Sequence, residues 1–285
     1  MIQIEKTQIM GWEPTIRGMR NPMNSWEKSD SGHRCPYKEE NAPICGNCTE
    51  NMCIGPNDLD LMLRLAKAGS VDGKFRRMIA VYVDLTAPLY WWKEFDTYKV
   101  GTVANSCSTM HKIHSKPFTL DDFSHEHLLT LDSVVIDDLI PLDKDETNCL
   151  CPVEFLELTC KVLNRYREKF LETKDKSYWW QMIQLLPSSY NQKRTVMLNY
   201  EVLANIYQHR RNHKLDEWRE LCRWIKSLPY SEIITCNVTE KNKTNALTAA
   251  IAKLKSELQW SDDRIASFLL EQAKLTGIIA PTTFL

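Results

Sequence analysis

The stretch MIAVYVDLTAPLYWWKEF, residues 78–95, decides the fold class of this chain. Over its first half, apolar residues alternate with other side chains, at Ile79, Val81, Val83 and Leu85. A period of two that is rich in β-branched residues is typical of a strand with one buried face. Pro88 then opens the aromatic segment PLYWWKEF, and proline is favoured in the first turn of a helix. We therefore predict a strand that leads directly into a short aromatic helix.

Apolar residues at helical spacing predict further helices on both sides of this stretch. One helix is predicted before it, with Leu59, Met62, Leu63 and Ala66 on one face, Asn57 as its cap and Gly69 at its end. Four are predicted after it: residues 152–173, the segment WWQMIQLL before Pro187, a helix with Val196, Asn199, Leu203, Ile206 and Arg210 on one face, and one with Trp218, Leu221, Cys222 and Ile225 that ends near Pro229. The pattern predicts an α+β, helix-rich architecture with a small sheet.

Composition divides the chain into three segments. Residues 1–55 are rich in Pro, Asn, Ser, Lys and Glu and show little periodicity, so we expect an irregular, loop-dominated leader. Residues 56–235 carry the predicted α+β domain. Residues 236–285 form a predicted helical C-terminal extension, in which Ser261 is a plausible N-cap between two helices.

The charge balance excludes some classes of function. The 285 residues include 36 basic and 37 acidic side chains, a net charge of −1, so bulk charge does not hold this protein to nucleic acid or to a membrane. No stretch approaches 18 apolar residues, and the start MIQIEKTQIM lacks the apolar core of a signal peptide. We expect a cytoplasmic protein without a nucleic-acid or membrane partner.

Ten cysteines are present, and without an export signal they are expected to be thiols or metal ligands. Four of them lie close together at Cys35, Cys45, Cys48 and Cys53, with His33 nearby. The C-x2-C pair is typical of a structural zinc site. The outer spacings are irregular, so a polar loop with free thiols is the alternative. Cys149 and Cys151 form a second, weaker pair that we interpret as incidental.

The loop DTYKVGTVANSCSTMHKIH, residues 96–114, is the first candidate for chemistry. It combines six Ser, Thr or Cys side chains with Asn105 and four basic residues, Lys99, His111, Lys112 and His114. Short donors and positive charge suit a phosphate or a polar base, although a solvated connection would have the same composition. Cys107 with His111 is a weak candidate for a nucleophile, because catalytic pairs meet in space rather than along the chain.

Two further candidates lie downstream. Asn199 and Arg210 share an otherwise apolar helix face, where each needs a polar partner if it is buried. We favour another subunit or chain segment over a ligand as that partner. The segment HRRNHK, residues 209–214, places positive charge at a helix C-terminus, where the helix dipole alone accounts for much of it.

These segments, taken in order, resemble the flavin-dependent thymidylate synthases. In that family a strand enters an A-P-[IL]-[FY] helix, followed by a W-x-R-H-R-x-x-S-x-N-E-x-S-x-R-Y loop, and later by L-P and an N-x-R-x-L-x-N helix that ends on Arg. Here TAPLYWWKEF and residues 96–113 take the first two places. The segment LLPSSYNQKRTVMLNYEVLANIYQHR, residues 185–210, keeps Leu186, Pro187, Asn199, Leu203, Asn205 and Arg210. The resemblance covers roughly residues 58–113 and 183–226.

The resemblance implies an α+β fold, a homotetramer with active sites between subunits, and FAD as cofactor. It implies a reaction in which NADPH reduces the flavin and a methylene group passes from methylenetetrahydrofolate to C5 of dUMP. Asn199 and Asn205 match positions that contact flavin. Lys99, Asn105, Ser108 and Arg210 match positions that bind the pyrimidine nucleotide.

The sequence departs from the family at several of these positions. The three basic positions of the loop fall on Thr97, Tyr98 and Lys99, and the Arg of the later motif is Glu201. A further phosphate-binding Arg of the family falls at Lys193 or Arg194. Two hypotheses follow: a flavin-dependent methyltransferase of the thymidylate synthase type, and a non-catalytic relative that serves as a nucleotide-sensing or protein-interaction module.

Overall fold

The computed structural model describes residues 2–32, 52–130, 134–135, 149–236, 251–253, 255–256 and 260–275. The chain divides into two compact units, Met1–Ile234 and Thr235–Leu285. The first unit is α+β, a small sheet with helices packed on it, as predicted. No helix in the described ranges is long and apolar enough to cross a membrane.

A four-stranded antiparallel sheet organises the first unit. Its strands are β1 (Gln3–Met10), β2 (Ala80–Pro88), β3 (Val103–Ser106) and β6 (Asn191–Asn199), and their spatial order is β1-β2-β6-β3. Two short strands, β4 (Val134–Val135) and β5 (Cys149–Leu150), pair with each other separately.

Seven helices of the first unit have assigned bounds: α1 (Trp12–Arg20), α2 (Pro56–Lys67), α3 (Leu89–Phe95), α4 (Pro152–Thr173), α5 (Lys176–Leu185), α6 (Tyr200–Arg210) and α7 (Asp216–Ser227). In the second unit, α8 spans Asp262–Leu275. Trp260 packs edge-on against Phe268 within this unit, with ring centroids 5.5 Å apart. The predicted strand at 79–85, the aromatic helix, the helix 152–173 and the helix before Pro229 are all confirmed.

The two faces of the sheet differ in character. On one face the side chains of Val81, Val83, Leu85, Val196 and Leu198 are buried. On the other face, the strand register places Glu5 beside Asp84 and Asp84 beside Thr195, so polar side chains lie in rows across three strands. The polar face of the sheet is therefore available to line a site.

One helix prediction was wrong. Residues 191–199 form strand β6, not the start of a helix, so Val196 does not share a helix face with Leu203. The burial of β6 alternates, with Gln192, Val196 and Leu198 buried, and the strand is held between β2 and β3 on both sides. The helix begins only at Tyr200, where the Asn199 side chain caps it by accepting a hydrogen bond from the Val202 N–H at 3.1 Å.

The prediction of an irregular leader was also wrong for residues 2–32. This segment supplies β1 and α1, and Trp12, Ile16 and Met19 are buried. Gly11 joins the two elements with a φ of 96°, and a Cβ there would lie 2.4 Å from the Met78 carbonyl oxygen. A register shift between Glu5 and Gln8 interrupts β1. The sequence of this segment therefore lacks the alternation of apolar and polar residues by which a strand is recognised.

A second hydrophobic cluster fixes the loop that follows β3. It consists of Ile113, Phe118, Phe123, Leu156, Cys160, Leu163 and Met182, from the loop and from α4 and α5. The Asn164 amide donates to the Phe118 carbonyl and accepts from the Phe118 N–H, both at 2.8 Å. Arg167 Nε donates to the His114 carbonyl at 2.9 Å. These contacts hold residues 113–123 against the helices, beside the sheet.

Candidate functional site

A cavity, which we call the lysine cavity, lies where the polar face of the sheet meets this loop. Its volume is about 600 Å³. Gln3, Thr86 and Lys193 lie side by side because the register pairs Gln3 with Thr86 and Thr86 with Lys193. The remaining lining residues come from the loop and the entry to β6: Cys107, Ser108, Thr109, Lys112, Ser115, Lys116, Asp121, Asp122, Tyr190, Asn191 and Gln192.

Hydrogen bonds to β6 fix the wall of the lysine cavity. The Cys107 N–H donates to the Lys193 carbonyl at 2.9 Å, and the Gln192 side chain donates to the Cys107 carbonyl at 2.7 Å. Ser108 Oγ accepts from the His111 N–H at 2.8 Å, which leaves its hydroxyl proton free to be donated. The thiol of Cys107 and the hydroxyl of Ser108 therefore stand at a defined place on the wall.

Three lysines line the lysine cavity, and two of them are paired. Lys193 Nζ lies 2.9 Å from Glu5 and 3.4 Å from Asp84, and the hydrogen bond with Glu5 raises the pKa of the lysine. Lys116 forms a salt bridge with Asp122, and the hydrogen bond between them raises the pKa of Lys116. Within the described ranges, Lys112 has no ion-pair partner. Counting only partners among the described residues, the lining thus offers one unpaired ammonium group and two that are held in place by carboxylates.

One polar atom beside the lysine cavity has no partner. Asn191 Oδ1 is buried and accepts no hydrogen bond from any described residue. A buried acceptor without a donor costs about 1–3 kcal/mol. The adjacent Tyr190 is half-buried, and burial, followed by the charge of Asp122, raises the pKa of its phenol. A ligand or a water molecule that donates a hydrogen bond to Asn191 Oδ1 would remove this free-energy cost.

A smaller pocket of about 270 Å³ lies on the far side of β3. We call it the turn pocket, and it is lined by Phe95, Asp96, Tyr98, Lys99, Thr102 and Ala104. Thr102 Oγ1 is buried and lacks a hydrogen-bond partner among the described residues. Gly101 has a φ of 78°, and a Cβ there would lie 2.9 Å from Asn199 Nδ2. Glycine at this turn lets the backbone approach the start of α6.

Arg210 lies next to the turn pocket and is paired within the chain. Its Nε donates to the Tyr98 hydroxyl at 3.0 Å, and its Nη1 donates to Glu94 Oε2 at 2.7 Å. The guanidinium carbon lies 4.7 Å from the centre of the Trp218 ring. The polar partner that we expected for Arg210 is therefore a segment of this chain.

Glu201, which stands where the family has Arg, is also paired within the chain. Its Oε2 accepts from Arg76 Nε at 2.7 Å, and Arg76 Nη1 donates to the Ile233 carbonyl at 3.1 Å. Arg76 is only 2% exposed. The acidic residue at this position thus has a buried counter-ion.

The structure brings some of the residues selected from the sequence together and separates others. Lys99, Asn199 and Arg210 lie around the turn pocket, whereas Ser108 lines the lysine cavity. Asn105 is exposed on β3 opposite Thr195, on the other face of the strand from Ala104. Asn205 is exposed on α6.

Sequence reasoning missed most of the lysine cavity. Lys116, Asp122 and Asn191 were not selected, because they carry no motif and meet Ser108 only through the packing of the loop on α4 and α5. The signals that the sequence did give were Cys107, Ser108 and Lys112 in the candidate loop of residues 96–114, and Lys193, which lies near the phosphate-binding position of the resemblance.

Only one of the four cysteines in the metal prediction lies within the described residues. Cys53 is buried, and its backbone pairs with Gly32 at 2.8 and 3.0 Å. Cys35, Cys45 and Cys48, together with His33, lie outside the described residues. Within the described ranges, no group of three or more His, Cys, Asp or Glu side chains could hold a metal ion.

No protein-family profile and no curated protein matches the chain by sequence. The fold does match solved structures. One is thymidylate synthase X from Helicobacter pylori with FAD and dUMP: it is 12% identical, the TM-score is 0.53, and the match covers 84% of this chain and 99% of that one. A second structure of that flavin-dependent enzyme, complexed with FAD and dUMP, is 13% identical over 80% of this chain and 96% of the other, with a TM-score of 0.51.

A UMP/dUMP methylase from Streptomyces cacaoi bound with 5-Br UMP also aligns, at 10% identity and a TM-score of 0.49 over 84% of this chain and 95% of that one. At such identities a likeness shows the fold and not the activity. The chain therefore has the α+β fold of the flavin-dependent thymidylate synthases.

Proposed function

We propose that this protein binds a pyrimidine nucleoside monophosphate in the lysine cavity. The observation that carries the proposal is the grouping of Lys112, Lys193 and Ser108 around a space of about 600 Å³, within the range of about 300–1,000 Å³ that is typical of ligand pockets. The ammonium and hydroxyl groups suit a phosphate, and Asn191 Oδ1 suits a donor such as a base N–H. That solved structures of the same fold contain dUMP supports this choice of ligand.

We further propose that FAD is the cofactor and that part of it occupies the turn pocket. The residues fit in part: Thr102 Oγ1 lacks a partner, Lys99 adds a positive charge, and Asn199 Nδ2 lies beside the close approach made by Gly101. A pocket of about 270 Å³ is too small for a whole dinucleotide. The rest of the cofactor, including any contact with Asn205, would lie against a second subunit of a homo-oligomer, which we propose is a tetramer.

The reaction we propose is methylation at C5 of dUMP or of a related pyrimidine nucleotide. Bound FAD, reduced by NADPH, would supply the hydride for this reaction, and methylenetetrahydrofolate would supply the carbon. The residues of this chain would bind and orient the nucleotide: Lys112 and Lys193 at the phosphate, with Ser108 as a hydroxyl donor. Asn105, on the edge strand between the two pockets, would contact the nucleotide only if a second subunit brought it there.

A non-catalytic, nucleotide-sensing relative is the second candidate. Two observations favour it: Thr97 and Tyr98 cannot supply the positive charge of the residues they replace, and Glu201 is committed to Arg76. Turnover decides between the candidates. Methylated nucleotide formed from dUMP, NADPH and methylenetetrahydrofolate would eliminate the non-catalytic reading.

The binding proposal is tested by calorimetric titration of the full-length protein with dUMP. Lys112→Gln and Lys193→Gln should each raise the Kd by roughly tenfold or more, since a hydrogen bond to a charged group contributes about 1.5–3 kcal/mol. Lys161→Gln, on the exposed face of α4, is the matched control and should leave the Kd unchanged. Equal Kd values for all four proteins would reject the lysine cavity as the site.

The cofactor proposal is tested separately, by the visible absorption spectrum of the purified protein before and after FAD is added and the excess removed. A retained flavin band supports a working cofactor site. A protein that releases all of the added FAD would reject the cofactor proposal and leave nucleotide binding to be judged alone.

A further inference from the structure

The side chain of Arg210 is contacted on several sides by groups of its own chain and is 21% exposed. Two of its donors are taken by the Tyr98 hydroxyl at 3.0 Å and by Glu94 Oε2 at 2.7 Å. Its guanidinium lies 4.7 Å from the Trp218 ring centre and 5.8 Å from that of Tyr98, so two aromatic rings lie beside it. These contacts fix the orientation of the guanidinium within its own chain.

The acceptor of this arrangement, Glu94, serves several partners at once. Besides Arg210, its Oε2 accepts from Trp218 Nε1 at 3.0 Å, and His213 Nε2 lies 3.5 Å away. Glu94 lies in the last turn of α3, while the two donors and His213 lie on α6, on α7 and on the turn between these helices. The carboxylate therefore ties three segments of the unit together.

The turn that follows Glu94 builds the turn pocket. The Thr97 N–H donates to the Glu94 carbonyl at 3.2 Å and the Tyr98 N–H to the Phe95 carbonyl at 2.9 Å. The Thr102 N–H then donates to the Lys99 carbonyl at 3.3 Å. Because Tyr98 directly precedes Lys99, whatever fixes the Tyr98 side chain also fixes the segment that carries Lys99 and Thr102.

We propose that Arg210 is a positioning residue: it locks Tyr98 and Glu94, and thereby sets the turn of residues 97–102, without contacting the ligand. The part of the inference that concerns ligand affinity rests on the proposed function, in which FAD occupies the turn pocket. The part that concerns the conformation of residues 97–102 does not rest on it, because the contacts of Arg210 with Tyr98 and Glu94 are present in the chain without ligand. The same geometry assigns Tyr98 the role of transmitting the effect of Arg210.

The part that concerns the conformation of residues 97–102 is tested by hydrogen exchange, read by mass spectrometry on the full-length protein without ligand. Arg210→Gln should speed exchange at the amides of residues 97–102, and Tyr98→Phe should do so to a smaller extent because the Glu94 contact remains. Arg223→Gln is the matched control, since Arg223 is 72% exposed and pairs only with Glu220 on the same helix among the described residues. Unchanged exchange of the turn in Arg210→Gln would overturn the inference.

The expected effect on ligand affinity is tested by a double-mutant cycle, in which the Kd for FAD is measured by titration. Arg210→Gln should raise the Kd for FAD roughly tenfold, and adding Tyr98→Phe to it should change the Kd no further, because Tyr98 is already released. If the two effects multiply, Arg210 contacts the ligand itself and the inference is wrong. If the unsubstituted protein binds no FAD, the cofactor proposal fails, and the exchange measurement alone decides the role of Arg210.

Discussion

At the scale of single residues, two positions that differ from the motif which this sequence resembles have hydrogen-bond partners inside the same chain. Glu201, which replaces Arg, accepts a hydrogen bond from the buried Arg76, and Tyr98, which replaces His, accepts one from Arg210. Each of these two side chains is therefore held by a partner within the chain. Among the described residues, the cations that the proposals assign to ligands are Lys99 and Lys112, on the segment that follows α3, and Lys193 on β6.

The Arg76–Glu201 pair should matter strongly for stability. Glu201→Gln removes the charged partner of a guanidinium that is 2% exposed, and loss of one member of a buried pair costs about 3–5 kcal/mol. Urea unfolding measures this change. The matched control is Asp60→Asn, in a pair with Arg64 at 2.8 Å in which both side chains are about two-thirds exposed. It should cost less than about 0.5 kcal/mol. Equal losses in the two variants would contradict the account.

Gly101 provides a second prediction at this scale. Gly101→Ala places a Cβ at a φ of 78° and 2.9 Å from Asn199 Nδ2, whereas Gly69→Ala meets the same kind of backbone strain, at a φ of 114°, in open space. The left-handed conformation alone costs about 1–2 kcal/mol for a residue with a Cβ. Thermal or urea unfolding should therefore show a larger loss for Gly101→Ala than for Gly69→Ala. The reverse order would show that Asn199 moves away without cost.

At the scale of elements, strong periodicity predicted the fold and its interruption concealed the rest. β2, α3, α4 and α7 were predicted because their apolar residues repeat without a break. β1 was missed because it is a largely exposed edge strand with a bulge, and β6 was mistaken for a helix because its apolar residues run into those of α6. Most of the lysine cavity was also missed, because the cavity forms only when the loop packs on α4 and α5. The spacing of residues along the chain does not predict that contact.

The Asp58 carboxylate is one of the groups that attach residues 20–31 to α2, together with Asp30, which accepts from the Asn57 and Asp58 N–H groups. Asp58 is fully buried and accepts from Arg20 Nε at 2.6 Å, Ser29 Oγ at 2.8 Å and Ser31 Oγ at 2.6 Å. Burial alone would raise the pKa of this carboxyl, but the hydrogen bonds from Ser31, Ser29 and Arg20 outweigh it and hold the pKa below its ordinary value of 3.8. The folded form of Asp58 therefore binds its proton less readily than the unfolded form.

Stability should depend on pH accordingly. Since the pKa is lowered on folding, the contribution of Asp58 is fully present above about pH 4 and is lost as the pH falls below it. Asp58→Asn should be less stable than the unsubstituted protein at pH 6, and the gap should narrow at pH 3. Urea unfolding at the two pH values measures both gaps. A gap of constant size would show that the ionised carboxylate is not what holds this segment.

At the scale of the whole molecule, the sheet separates two functions. Its apolar face supports the core, and its polar face, together with the loop packed on α4 and α5, forms the lysine cavity. The turn pocket lies beyond the edge strand β3, whose four residues are all exposed. A second subunit that covers this edge would complete the turn pocket, as the proposal of a shared cofactor site requires.

The central claim, that a pyrimidine nucleotide occupies the lysine cavity, is tested most directly at Cys107. This thiol is exposed and lines the cavity, whereas Cys53, Cys151, Cys160 and Cys222 are buried. The measurement is the rate at which iodoacetamide alkylates Cys107, followed by peptide mass spectrometry at increasing dUMP concentration. We predict that dUMP slows the alkylation saturably, and that Lys112→Gln shifts the curve to higher dUMP concentration. Alkylation at the same rate at every dUMP concentration would contradict the account.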